Sequence, residues 1–467
     1  FGIFAYSMPK YGYSGFIKLI KEEQTILHRV YSCLPRKKWQ GFKKNIKTKN
    51  LKKACFIYAK KLYLFILKKR NKHHQKYSKN YIKTLERELK SLPVKRALTL
   101  ISKGVVKISN KEKNKKKPFF ITPFIGCFYN LDPHCFELSI ITASLAKLAG
   151  YKSTISIVVY PNSLAIHSVC LVKTSSDNNR ESWYVLDSNF PGSLLKLNQR
   201  IGYNYCGYSK KYGKIYPLMY LYLYENNKRV YKWTDTFSDK NSRLLELPDE
   251  VIIGEIYIHS LEILTNFLLK KAVQQPQNFY NLYHKLSSVL KKLYQLTQKF
   301  YPNSKENFYF QYHKSSLLLL KLLYLEIDFK QNSNLHIKNK LNKFYKKTIN
   351  SFLYSLKLKF TILAMVRLDY LFKINGDINA SLNFLKNFSH KEKWVHARLL
   401  EIANLILLKR YLKAKSLYKM VSKTLKKDVK HIAPSKQDQQ FICNILKYIK
   451  NCLKIRVVDC KKLKVGS

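Results

Sequence analysis

The sequence predicts an α+β protein in three parts: a basic helical region over residues 1–117, a helix-and-sheet segment over 118–245, and a helical region over 246–467. Three observations predict it. An apolar helical period from Cys135 to Gly150 leads straight into two strands rich in Ile and Val. The tyrosine-rich stretch Tyr216–Tyr224 alternates with the two-residue period of a strand. Near the C-terminus, matched residues return at a spacing of 34.

Residues 1–117 are dense in lysine. Gly15–Cys33 carries Phe16, Ile20, Ile26 and Val30 at helical spacing, and Leu51–Lys69 carries Ala54, Ile57, Leu62, Leu64 and Leu67. Lys111–Pro118 is a run of charge ending in proline, a natural boundary. His73-His74 reads as solvated, and a solvated polar face ranks ahead of an RNA or lipid surface for these helices.

Charge bounds the partners. The chain holds 87 Lys+Arg against 28 Asp+Glu, a formal +59, which invites a nucleic acid or an anionic membrane. Lys, Asn, Tyr, Ile and Phe are all abundant, however, as AT-rich codon usage would give, and the basic residues run through the whole chain. That bias would not deplete acids, so nonspecific affinity for polyanions stays an expectation. The nine cysteines are scattered without a CxxC pair, so neither a disulfide framework nor a zinc site is indicated, and a reducing, cytoplasmic compartment fits best. No run of eighteen apolar residues occurs, Ser315–Phe329 being broken by Lys321, Glu326 and Asp328, so no transmembrane segment is expected. The chain opens on Phe1 rather than methionine, which leaves open a segment upstream.

The segment 118–245 carries the chemistry. Asp132-Pro133 is a helix-start signal, with an N-cap acid before a proline. Leu138, Ile141, Leu145 and Leu148 then mark one buried face, and Gly150 sits where a helix ends. Cys135 therefore falls in the first turn, where unpaired amides and the positive end of the dipole favour a thiolate. The same amides could donate to a developing oxyanion. Thr154–Tyr160 and Ala165–Thr174 read as strands around the turn Pro161-Asn162-Ser163, and Ser182–Leu186 follows the polar loop 175–180. Folding that loop about Asp177 pairs positions whose numbers sum to about 354, which sets His167 opposite Asp187 on one face. A thiol, an imidazole and a carboxylate so arranged are a nucleophile, its base and the group that orients the base. Taken singly, each has a plainer reading: a buried thiol, a core histidine, a turn aspartate. His134 and Cys127 lack spaced partners, so no metal site is expected there.

These residues resemble the transglutaminase-like superfamily of papain-type cysteine enzymes. Its pattern of a Cys, an acid two residues on, an apolar and a small residue, and a Gly closing the helix is met by Cys135, Glu137, Leu138, Ser139 and Gly150. His167-Ser168-Val169 and Trp183-Tyr184-Val185-Leu186-Asp187 match the two strands that follow, 32 and 20 residues further on in turn. Ser168-Val169 and Lys152-Ser153-Thr154 depart from the usual residues at those places. The resemblance covers about residues 118–200 and implies a Cys helix packed on an antiparallel sheet, with Cys135, His167 and Asp187 as a catalytic triad.

Beyond Asp187, Asn189-Phe190-Pro191-Gly192 is a turn. Tyr216–Tyr224, Asn226-Asn227 and Val230–Trp233 read as a β-hairpin. Its aromatics suit either stacking on bases or packing against a helix, the second more often. In the last region Leu368, Leu371, Ala380 and Phe384 recur as Ile402, Leu405, Ala414 and Tyr418. With turns at Asn375-Gly376-Asp377 and Lys409-Arg410-Tyr411, the two units resemble tetratricopeptide repeats, whose concave face would take a protein or peptide. Ser260–Lys271, Asn278–Phe300, Ser315–Phe329 and Ile337–Phe360 read as further helices. Helices that merely buttress the thiol domain are an equal alternative.

The expected activity is cysteine-dependent acyl transfer on a protein or peptide substrate, hydrolysis ahead of crosslinking, with no metal and no cofactor. The alternative is a non-catalytic scaffold for a protein, RNA or anionic membrane.

Overall fold

The computed structural model describes residues 12–33, 60–61, 63–65, 81–110, 135–161, 163–175, 181–197, 207–209, 213–215, 217–235, 237, 242–332, 335–392, 395–427 and 435–460. Asp132-Pro133, His134, Cys127, His73-His74, the 111–117 linker and most of Leu51–Lys69 lie outside them. The protein mixes helix with antiparallel sheet in two compact units, one of Phe1–Ile157, His167–Gln199 and Met219–Pro302, the other of Val158–Ile166, Arg200–Leu218 and Asn303–Ser467.

Among the described residues nine strands are formed: β1 Lys152–Val159, β2 Ile166–Ser175, β3 Glu181–Leu186, β4 Leu195–Lys196, β5 Gly207–Ser209, β6 Gly213–Ile215, β7 Leu218–Glu225, β8 Lys228–Thr234 and β9 Arg243–Leu245. β5 and β6 form a separate pair. The others make one sheet in the order β4-β3-β2-β1-β7-β8, with β9 also on β7. β1 is central and buried on both faces after Lys152, which is why its sequence runs Ile-Ser-Ile-Val-Val without polar alternation.

The first unit adds α1 Gly12–Ser32, α2 Tyr81–Lys90, α3 Val94–Asn110, α4 Cys135–Leu148, α5 Asp249–Gln274 and α6 Pro276–Phe300. α4 is buried on nearly all sides, so its apolar residues ring the helix instead of forming a stripe. Ser139, Thr142 and Ser144 fit inside because each hydroxyl donates to a carbonyl one turn back, at 2.7 Å. Gly150, at φ +93°, closes the helix: its N–H reaches the Lys147 carbonyl and the Tyr151 N–H reaches that of Ala146, the two bonds of a Schellman cap.

The β7–β8 hairpin turns on Asn226 and Asn227, both left-handed at φ 47° and 60°, as the Asn-Asn pair predicts. Tyr220 is buried and stacks on Tyr301 at 5.7 Å, while Tyr222 stacks on Tyr231 at 4.4 Å. These tyrosines form a sheet face packed inside the protein. Among the described residues α5 is the one helix long and apolar enough to cross a membrane, and 72% of its apolar window is buried within the protein, which accounts for the composition. It runs close to the end of α6 at Gly254, where a Cβ would sit 3.2 Å from the Phe300 and Tyr301 backbone.

The second unit is built on α7 Phe308–Asn332, α8 Leu335–Leu358, α9 Ile362–Ile374, α10 Ile378–Glu392, α11 Val395–Leu407, α12 Tyr411–Lys427 and α13 Lys436–Leu453. The pairs α9–α10 and α11–α12 repeat one turn. Gly376 and Lys409 take the left-handed position, and the bonds Gly376 N–H to Lys373 O and Asp377 N–H to Phe372 O recur as Lys409 N–H to Ile406 O and Arg410 N–H to Leu405 O. The interval is therefore 33 residues, one fewer than the apolar residues suggested, and Ser381 and Leu385 rather than Ala380 and Phe384 hold the buried places answering Ala414 and Tyr418. Polar hubs lock these helices. Asp369 accepts from Ser381 (2.6 Å), Asn404 (3.0 Å) and Lys373 (2.7 Å). Asp438, at the start of α13, caps it with Ser435 and binds Ser163, the Leu164 N–H and His396.

Candidate thiol site

Three residues picked from the sequence arrive at one end of the α4–β2–β3 layer. Cys135 is the first residue of α4 and is partly exposed. His167 is the second residue of β2, and Asp187 follows β3 directly. His167 and Asp187 are 7% and 1% exposed, so their pairing takes place away from water.

β2 and β3 pair with Cys170 opposite Leu186 and Lys173 opposite Trp183, so opposed numbers sum to 356. The register is two positions from the expected one. A shift of two keeps every side chain on its face. Asp187 consequently meets His167 on the diagonal, with its Oδ1 2.7 Å from His167 Nε2. The register position opposite His167 falls to Asn189, whose Nδ2 lies 3.3 Å from the same nitrogen. The Asn189 backbone N–H also donates to Asp187 Oδ1 at 2.8 Å, a tight Asx turn that fixes the carboxylate. The loop continues through Gly192, at φ +90°, whose N–H donates to Ser102 on α3 at 3.0 Å.

With Nε2 held by the carboxylate, Nδ1 is the nitrogen left for a thiol, and Cys135 is near enough to the ring to act on its charge. Burial alone would depress the imidazole, but the Cys135 thiol and the Asp187 carboxylate outweigh it and raise His167 to about 10. An imidazolium is the partner that a cysteine nucleophile needs when it acts as a thiolate. The other thiol on these strands differs: Cys170 is fully buried, and burial pushes its pKa far up.

Behind the cysteine lies a charged layer that the sequence did not reveal. Glu137 is fully buried, and neither of its oxygens meets a hydrogen-bond donor among the described residues. His259 on α5 packs its ring on Phe136 at 5.3 Å, with Glu262 3.8 Å from its Nδ1. Burial opposes charge on His259, yet Glu262, Glu137 and Cys135 together hold it up, to about 9. Burial likewise pushes the nearby Glu255 carboxyl up to about 8, against the lowering pull of the Tyr301 hydroxyl and His259. The His-x-x-Glu spacing of 259 and 262 on a helix was the available signal; that they meet α4 was not. Among the described residues no cluster of three or more His, Cys, Asp or Glu suits a metal ion.

Comparison with protein families, characterised proteins and solved structures gives no match to this chain. The functional reading therefore stands on its residues and their geometry.

Proposed function

We propose that the protein is a cysteine-dependent acyl-transfer enzyme of the transglutaminase-like kind, acting on amide or peptide bonds. One observation carries this reading: the 2.7 Å bond from His167 Nε2 to Asp187, in a buried site, with the partly exposed Cys135 at a helix start close enough to raise the imidazole pKa. Cys135, as the thiolate of a pair with the His167 imidazolium, attacks the carbonyl carbon. The oxyanion forms beside the first amides of α4, which have no acceptor within the helix. His167 returns the proton to the departing amine, leaving a thioester. Water, deprotonated by the same imidazole, cleaves that ester and frees Cys135. Asp187 keeps the ring oriented and offsets its charge. Hydrolysis is favoured over transfer to a lysine amine, in keeping with the resemblance to bacterial members bearing helical repeats.

The rival reading is a non-catalytic scaffold using the basic surface and the paired helices for a protein, RNA or anionic membrane. Substoichiometric labelling with an alkyne-tagged iodoacetamide, read peptide by peptide, separates the two. The enzyme reading expects Cys135 to label first, His167→Ala to slow it at least tenfold, and Cys135→Ala to abolish the fast phase. Labelling ordered by exposure alone, with Cys452 first and no response to His167→Ala, would overturn it.

A further inference from the structure

A second concave site lies in the first unit, away from the thiol. It is a cleft of about 300 Å³ lined by Lys147, Lys152, Lys173, Arg229 and Arg243 over a floor that includes Trp183 and Tyr222. Its position follows from elements already described. Cys135 opens α4 and Lys147 lies in its last turn, about 18 Å away at 1.5 Å per residue. His167 and Lys173 share one face of β2, six residues or about 20 Å apart. Trp183 pairs with Lys173 across the sheet. The cleft is thus at the opposite end of the layer from the triad.

Its charge is not that of the general surface. Only 13 of the 87 basic residues are arginine, yet two of them flank a single residue here: Arg229 on β8 and Arg243 on β9 both lie in register with Tyr224 of β7. Both therefore stand on the same face, on either side of one tyrosine. Two carboxylates line the cleft. Glu246 Oε1 accepts the Ser153 N–H at 2.8 Å and lies 3.8 Å from Lys147 Nζ, while Asp249 is buried in the first turn of α5. Among the described residues no carboxylate pairs with Lys152, Arg229 or Arg243. Five cations face two carboxylates, one of which already engages Lys147, so the concave wall keeps an excess of positive potential that a bound anion would relieve. Guanidinium forks match the paired oxygens of a phosphate, and lysines add point charge. The volume is at the lower end of small-ligand clefts, and the aromatic floor offers an apolar surface to whatever carries the phosphate.

We infer that this cleft binds a small phosphorylated organic molecule, of about the size of a nucleoside monophosphate, through Arg229, Arg243 and Lys152. The site is independent of the thiol chemistry proposed above.

Isothermal titration calorimetry in 0.15 M NaCl tests it, with adenosine monophosphate and inorganic phosphate as separate titrants on the full chain. The expected result is saturable one-site binding, at least fivefold tighter for adenosine monophosphate. Arg229→Ala/Arg243→Ala should weaken it at least tenfold. A control pair on exposed α8 positions, Lys338→Ala/Lys340→Ala, should leave it unchanged. Arg243→Lys retains the charge and isolates the fork; it should weaken binding about threefold to tenfold, and it decides the matter if the double variant does not fold. Absence of saturable binding would overturn the inference, as would an equal loss in the control pair. Equal affinity for the two titrants would assign the cleft to the bare anion and overturn the organic-phosphate assignment.

Discussion

Replacing Asp187 with asparagine isolates the electrostatic part of the proposed triad. The substitution keeps the shape and removes one charge from a buried hydrogen bond of 2.7 Å. A hydrogen bond to a charged group contributes roughly 1.5–3 kcal/mol, and one pKa unit is about 1.4 kcal/mol, so the imidazolium should lose about 1–2 units of its elevation. His167 stands near 10 because Cys135 and Asp187 together overcome burial; without the carboxylate it should titrate nearer 8–9. The assay is the rate of Cys135 alkylation by iodoacetamide between pH 5 and 11, followed by mass spectrometry of its peptide. Wild type should reach its final rise near pH 10, where the imidazolium discharges, and Asp187→Asn should bring that rise down by one to two pH units. The same linkage bears on stability. A folded pKa raised above the ordinary value of 6.5 stabilises fully below pH 6.5 and loses that contribution as pH climbs through 10, so wild type should lose more stability over that window than the variant. Superimposable alkylation profiles would refute the pairing of charge through His167.

Two further outcomes follow from buried carboxylates. Asp438, fully buried, is held below the usual carboxylate range: burial would raise it, but His396, Ser163 and Ser435 outweigh that, so its stabilisation exists above pH 4 and is lost as pH falls through the depressed value. Asp438→Ala, which strands His396 and frees the α13 start, should cost about 3–5 kcal/mol in urea denaturation at pH 7, and the difference should shrink as the pH is lowered below 4. Glu255 is the opposite case: its carboxyl is raised to about 8, so it weakens the fold progressively from pH 4.5 to 8, and Glu255→Gln should gain about 1–3 kcal/mol above pH 8 with little change at pH 5.

Much of this was written locally in the chain. Gly150 and the Asn226-Asn227 pair specify left-handed backbone, so the end of α4 and the β7–β8 turn could be placed from the residues alone. Cys135, His167 and Asp187 were found because helix period and strand alternation decide which face a side chain takes, and an even error in register leaves that face unchanged. The six-residue loop 175–180 has no glycine or proline to mark its centre, so the register itself was two positions out. The start of α5 was missed by eleven residues: Pro248-Asp249-Glu250 was the signal, masked by a helix so buried that it shows no polar face. The 33-residue interval escaped because Lys409 takes the left-handed position that Gly376 fills, a place where sequence reading looks for glycine. His259 comes to Cys135 from more than a hundred residues away, and no local pattern encodes that.

The helix that carries Cys135 acts as a ruler. Its buried surface allows no slack, and each residue turns it by 100° and advances it by 1.5 Å. A single insertion within it could not be absorbed in a loop: it would swing the sulfur away from the imidazole or drive Lys147 off Glu246. Length variation in this protein should therefore fall between the ordered pieces, and the fourteen residues from Cys135 to Leu148 should tolerate exchange of side chains but no change in their number.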